Sequence, residues 1–202
     1  YLRQHRHVHE HVFEEDRPFA SCHASTLVQL PGNRFLVAWF GGTHEKHPDV
    51  GIWGAERREG RWSPPRLLAK VRSSPHWNPV LFADPAGRLH LFFKVGDEIP
   101  QWETWRMTSE DGGRTWCAPR ELVPGDRGGR GPVKNKPILL ASGDWLAPAS
   151  VETAEGWEVF VDRSADGGLT WEAGARLDRA AVPGLGIIQP SLWESAPGRV
   201  HM

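Results

Sequence analysis

The sequence predicts an all-β protein built as a β-propeller, and three observations carry that prediction. Ser109-Glu110-Asp111-Gly112-Gly113-Arg114-Thr115-Trp116 and Ser164-Ala165-Asp166-Gly167-Gly168-Leu169-Thr170-Trp171 share the pattern S-x-D-G-G-x-T-W and lie 55 residues apart. A second landmark keeps the same period: Gly32, Gly87, Gly143 and Gly198 step by 55, 56 and 55 residues. Between landmarks the chain divides into short runs rich in Val, Leu, Phe and Trp, separated by Gly, Pro, Asn and Asp, which is the pattern of strands and turns. A repeat of this length with four strands per unit is a propeller blade.

The elements follow in order. In the first unit the strand-like runs are Ser25–Leu30, Phe35–Phe40, Val50–Ala55 and Trp62–Leu68, and Arg58-Glu59-Gly60-Arg61-Trp62 is a worn copy of the box. The second unit repeats them as Val80–Phe82, Leu89–Val95, Trp102–Thr108 and Trp116–Leu122. The third carries the run Trp145 to Ala149, and Gln189-Pro190-Ser191 with Pro197-Gly198-Arg199 opens a fourth. No segment sustains a helical apolar period over three turns. The expected organisation is one incomplete propeller domain over 1–202. It has an N-terminal edge segment at 1–18, blades near 19–70, 71–125 and 126–181, and a partial blade at 182–202. An open stack of this kind is expected to leave apolar blade faces uncovered. In the boxes, Asp-Gly-Gly supplies a tight turn, the Asp and Ser or Thr side chains satisfy turn backbone, and the Trp is expected to start the next strand and pack between blades. Asp111 and Asp166 are therefore read as structural.

Composition narrows the function. A formal net charge of −1 argues against the concentrated basic face of a nucleic-acid partner, and no apolar run approaches membrane-spanning length. The start, Tyr1-Leu2-Arg3-Gln4-His5, lacks the apolar core of a signal peptide, which leaves the compartment open. Cys22 and Cys117 fall in unrelated blade positions, so neither a disulfide nor a metal site is expected of them. His5, His7, His9 and His11 alternate and read as the polar face of an edge strand, with metal binding as the rival reading; no metal and no cofactor is expected. Eleven Trp stand against one Tyr. Packing between blades explains most of them, with Trp77, Trp102 and Trp105 as candidates to stack on sugar rings.

Strand order sorts the loops onto two rims. The boxes share one rim with the turns between first and second strands. The loops between second and third strands, and the links between blades, share the other, which is the expected binding face. On it fall the blade-one loop Thr43-His44-Glu45-Lys46-His47-Pro48-Asp49, Lys94 and the loop after it, Glu152 to Gly156, and the links around Ser73–Asn78, Asp126–Lys136 and Pro183–Gln189. Matching the starts of the inner strands aligns His23, Asn78, Lys136 and Gln189, a ring of unlike polar groups suited to one asymmetric polar ligand. His44, Glu45 and Asp49 are the acid–base candidates. Lys94, Lys134 and Lys136 offer cations for an anionic ligand.

The boxes resemble the Asp-box, or BNR, repeat of the sialidase superfamily. Ser21-Cys22-His23-Ala24-Ser25, Trp39-Phe40-Gly41-Gly42-Thr43-His44-Glu45, Pro48-Asp49-Val50, Trp77-Asn78-Pro79, Asn135-Lys136-Pro137 and Ile188-Gln189-Pro190-Ser191 resemble its bacterial sialidase-like members. The resemblance implies a six-bladed propeller, of which about three and a half blades are here, with His9 to Glu14 as an outer strand of the last blade. It implies a glycosidase that removes a terminal acidic sugar such as sialic acid, with three arginines, a tyrosine nucleophile paired with a glutamate, and a carboxylic acid–base; Glu45 or Asp49 would fill the last role. Other Asp-box propellers are lyases that cleave beside a uronate, a role His23 and His44 would take here, or bind glycans without cleaving them. The chain departs from the sialidase pattern where Cys22-His23-Ala24-Ser25 replaces the expected Arg-Ile-Pro, with Arg17 five residues early, and no tyrosine follows Tyr1. The expected partner is an acidic glycan; the oligomeric state is left open.

Overall fold

The computed structural model describes residues 8–177, 184 and 186–202. Strands β1 (Ser21–Leu30), β2 (Arg34–Gly42), β3 (Gly51–Arg58), β4 (Arg61–Trp62) and β5 (Arg66–Ala69) form the first blade, in which β4 and β5 both pair with β3. The second blade runs β6 (His76–Ala83), β7 (Leu89–Val95), β8 (Glu103–Ser109) and β9 (Arg120–Glu121). The third runs β10 (Ile138–Leu139), β11 (Trp145–Thr153), β12 (Gly156–Ser164) and β13 (Glu172–Arg176), and the hairpin β14 (Trp193–Ala196) and β15 (Arg199–His201) begins a fourth. All pairings within these sheets are antiparallel. The chain is therefore an all-β, partial propeller of three blades and a hairpin.

The blades pack through alternating strand faces. Strand β7 is buried along its whole length. Leu91 and Phe93 face blade one, where they meet Leu36, Phe40 and Ile52, while Phe92 faces blade three and packs with Trp145 and Trp171. Polar stitches fix the same contacts. The Leu81 amide donates to Thr26 Oγ1 at 3.2 Å. The Arg66 and Arg106 guanidinium groups each reach across to the box of the next blade, at Gly113 and Gly168 respectively.

The two boxes have matching geometry. Asp111 accepts from the Thr115 amide (2.9 Å), the Thr115 hydroxyl (2.7 Å) and the Ser109 hydroxyl (2.8 Å). Asp166 repeats this with Thr170 (2.9 and 2.6 Å) and Ser164 (2.8 Å). These donors hold both carboxyls below the usual carboxylate range, Asp166 at about 2. The paired glycines take positive φ, 73° and 85° at Gly112 and Gly113, 71° and 84° at Gly167 and Gly168. The box tryptophans do not start strands: β9 begins only at Arg120, and Trp171 precedes β13. The box turn directs each ring into the blade contact before the chain resumes pairing.

The N-terminal segment also differs from expectation. Residues 8–20 form no strand; they lie across blade one, where Phe13 packs on Phe19 and Trp39 and Glu10 pairs with Arg57. His9 and His11 are thus not on a strand, and His5 and His7 lie outside the described residues. Cys22 and Cys117 are both free and exposed. No helix among the described residues is long and apolar enough to cross a membrane.

Candidate functional site

The antiparallel registers put the loop after β2, the loop after β7 and the tight turn after β11 on the rim opposite the boxes. Ser21 faces Gly42, His76 faces Val95, and Thr153 faces Gly156. This rim is held rigid from beneath. Lys70 Nζ donates to the carbonyls of Pro48 (2.5 Å), Val50 (2.9 Å) and Ser74 (2.9 Å), tying the blade-one loop to the link into blade two. His76 is fully buried, and burial pushes its pKa down to about 4, so it is neutral. Its Nε2 accepts from the Val71 amide at 2.9 Å, and Nδ1 lies 2.9 Å from the Ser74 carbonyl.

Two expected ligand contacts lie inside this framework. Lys94 is completely buried, with Nζ on Thr104 Oγ1 (2.7 Å) and the carbonyls of Gly129 (3.0 Å) and Arg130 (2.8 Å). Burial pushes its pKa down to about 7. Strand β7 is covered on both faces, so its last charged side chain anchors a link and does not meet a ligand. Trp77 is only 2% exposed, packed against Phe40 and Trp102 with its indole N–H on the Gly96 carbonyl at 2.9 Å, and offers no open face to a sugar. Trp102 is buried with it, and half-buried Trp105 donates to Glu103.

The inner strands enter the rim through a repeated irregularity. The register shifts between His23 and Thr26 in β1 and between Trp77 and Val80 in β6. Trp77 therefore matches His23, and Asn78 matches Ala24. Both carry positive φ, 57° at Ala24 and 39° at Asn78, as does Gln189 at 55°. In blade three, Leu139 pairs with Trp145 as Ala83 pairs with Leu89, and ahead of β10 the Val133 amide donates to the Pro148 carbonyl at 3.1 Å. Ala24, Asn78 and Gln189 thus share a left-handed backbone. The alignment of His23 with Asn78 is corrected, since the register sets His23 level with Trp77, and nothing in Ala24 or Gln189 as residue types announces a left-handed backbone.

Side chains of the link into blade three reach the neighbouring inner strands here. Lys134 Nζ donates to the Ser25 carbonyl at 2.9 Å, and Lys136 Nζ to Thr26 Oγ1 (3.1 Å) and the Leu81 carbonyl (2.8 Å). Asn135 Nδ2 donates to the carbonyls of Gln189 (2.9 Å) and Pro190 (3.0 Å). Neither lysine has a carboxylate partner among the described residues. Burial lowers both pKa values, and repulsion from Lys134 adds to the effect at Lys136, which falls to about 8. Asn78 is nearly covered and Lys134 half-buried, whereas His23, Lys136 and Gln189 are exposed.

The blade-one loop presents the acid–base candidates differently. His44 and Glu45 are exposed, with His44 Nδ1 at 2.8 Å from the Glu45 carbonyl and its ring 5.0 Å from that of His47. Asp49 is tied down. It accepts from the Thr43 hydroxyl (2.6 Å) and amide (3.0 Å), and His47 Nδ1 lies 2.7 Å from Oδ1. The Thr43 hydrogen bonds, with help from His47, hold its pKa at about 2, so Asp49 is ionised at neutral pH. It closes the loop and has no proton to donate.

The sequence matches the family described as BNR repeat-like domain over residues 33–202. No curated protein matches it. The fold is similar to a protein of unknown function from Dyadobacter fermentans (TM-score 0.67, 16% identity, 86% of this chain and 58% of that one). It is similar to a sialidase of Streptococcus pneumoniae (TM-score 0.68, 12% identity, 94% and 49%) and to Trypanosoma rangeli sialidase (TM-score 0.66, 14% identity, 88% and 33%). The chain thus spans between 33% and 58% of the length of these structures.

Proposed function

Given that the chain belongs to the BNR repeat-like domain family, we propose that it is part of a sialidase-like, carbohydrate-active propeller whose ligand is an acidic sugar held at the axial mouth. The observation that carries this reading is the pair Lys134 and Lys136. Two ammonium groups reach the axis from one link, repel one another and lack a carboxylate counter-ion among the described residues. Charges of one sign held close together are costly, and an anionic ligand offsets that cost with charge-assisted hydrogen bonds. Asn78 and Gln189 complete the mouth with uncharged groups that fit sugar hydroxyls.

For hydrolysis, Glu45 is assigned the proton donor. It sits exposed on the same loop, whereas the Asp49 carboxylate is held by Thr43 and His47. Glu45 gives its proton to the leaving glycosidic oxygen, water adds at the anomeric carbon, and the proton released by that water restores Glu45. The rival is a lyase reaction. Lysines that neutralise a uronate carboxylate make the neighbouring C–H more acidic, and His23 and His44 are exposed to accept that proton.

The test is incubation with sialyl conjugates and with uronate oligosaccharides. Release of free acidic sugar without ultraviolet absorbance supports hydrolysis. An unsaturated, ultraviolet-absorbing product supports the lyase. Intact glycan that nevertheless binds, with binding lost in Lys134→Met, leaves a non-catalytic receptor. No binding of any acidic sugar would sink the reading.

A further inference from the structure

At the box end of blade two, a cavity of about 210 Å³ opens beside the outer strand. Arg106, Met107, Thr108, Cys117 and Arg120 line it, and no carboxylate does. None of them takes part in the acidic-sugar site. Strands β8 and β9 set Arg106 directly opposite Arg120, and like charges facing one another across paired strands are destabilising. Neither guanidinium has a carboxylate within ion-pair distance among the described residues. Arg106 is half-buried and gives one hydrogen bond to the Gly168 carbonyl of the next blade. Burial and repulsion from Arg120 lower its pKa. Arg120 is exposed.

Blade three shows what the same edge looks like when it is closed by the chain itself. Glu172 stands 55 residues after Cys117, and Arg163 stands 55 after Thr108. These two pair across β12 and β13, with 4.0 Å between their charged atoms. Blade two carries a thiol where blade three carries that carboxylate. Cys117 Sγ accepts from the Thr108 amide at 3.1 Å, and the two positive charges beside it are left without a counter-ion from the chain.

We propose that this cavity binds a phosphate group, either the free ion or the head of a small phosphate monoester. Charge and donor geometry select that group. Two guanidinium ions match a phosphate, which carries a charge of about −1.5 to −2 at neutral pH. Each guanidinium presents a fork of parallel N–H donors. A carboxylate has two oxygens and fills one fork, whereas a phosphate has enough oxygens for both. The Thr108 hydroxyl, which reaches Cys117 Sγ only at 3.4 Å, adds a neutral donor. The volume lies below the roughly 300 Å³ at which pockets for whole organic ligands begin, so the cavity suits a head group whose remainder stays in water. The cavity lies apart from the lysine pair, and its ligand does not depend on the acidic-sugar site.

The test reads the exposed thiol of Cys117 in the cavity wall, with exposed Cys22 as the internal control. The protein is alkylated with uncharged iodoacetamide at fixed ionic strength while inorganic phosphate or glycerol 3-phosphate is added. Peptide mass spectrometry follows the rate at each cysteine. Arg120→Gln is the variant, because Arg106 also holds blade three at Gly168. Saturable slowing at Cys117 and not at Cys22 supports the site when the concentration needed rises about tenfold or more in folded Arg120→Gln, the worth of one charge-assisted hydrogen bond. Half-effect at a lower concentration of glycerol 3-phosphate than of inorganic phosphate assigns a monoester, and the reverse order assigns the free ion. No saturable slowing with either source overturns the proposal, as does the same concentration dependence in folded Arg120→Gln.

Discussion

A lysine drawn partly out of water beside another lysine gives up its proton more readily than one on an open surface, and Lys136 does so at about 8. Only the protonated ammonium attracts an anion. Affinity for an acidic monosaccharide is therefore expected to be flat between pH 6 and 7 and to fall as pH rises through about 8, measured by titration calorimetry. In Lys136→Met the affinity at pH 7 drops about tenfold or more, the worth of one charge-assisted hydrogen bond, and the fall through that range disappears. Glu45→Gln is expected to lower kcat about 10²- to 10⁴-fold with little change in KM, the usual contribution of a general acid. The loop that carries Glu45 was legible in the sequence because strand order alone assigns it to a rim. The ring at the axis was only partly legible. Side chains such as Ala24 and Gln189 do not reveal the left-handed backbone they adopt.

The boxes and the buried lysine make predictions of another kind, about the elements they hold together. A Cβ added at Gly113 would sit 2.7 Å from Leu36 Cδ2, and one at Gly168 would sit 2.8 Å from the Trp145 ring, both on backbones with positive φ. Gly113→Ala and Gly168→Ala are each expected to cost about 2–4 kcal/mol, from backbone strain and overpacking together, read as a lower urea midpoint. Lys94 has a folded pKa of about 7 against roughly 10.4 unfolded. Between those values the unfolded chain binds more protons than the folded one, so Lys94 makes stability rise with pH over that window. Lys94→Met is expected to diminish this rise while costing about 1–3 kcal/mol at neutral pH through the acceptors left unpaired. Urea midpoints at pH 7 and pH 9.5, inside that window, check both effects. Strand runs such as Leu89–Val95 were readable residue by residue because an unbroken apolar stretch marks a strand covered on both faces. That same pattern held the clue that Lys94 and the neighbouring Trp77 are enclosed. The short outer strands were less readable: the box tryptophans carry the strongest strand-like signal, yet they serve the blade contact and leave the pairing to begin several residues later.

At the scale of the molecule, the period of the boxes fixes the blades, the blades fix two rims, and one rim gathers groups from four successive inner strands. The whole arrangement was legible as a propeller because a repeated unit states its own architecture. The chemistry was less so, since it depends on which side chains from different repeats meet at the axis. Lys134 reaches Ser25 and Lys136 reaches Thr26, contacts that span more than a hundred residues of sequence. The crossing of the link into blade three against blades one and two brings them together. The central claim is that this crossing forms an anion site for an acidic sugar. Its most direct test is titration of carboxylated monosaccharides, a sialic acid and a uronic acid among them, into the wild-type protein and the Lys134→Met, Lys136→Met double variant at neutral pH. The account predicts binding to the wild type that is lost in a folded double variant, whereas equal affinity in both proteins, or no binding to either, would contradict it.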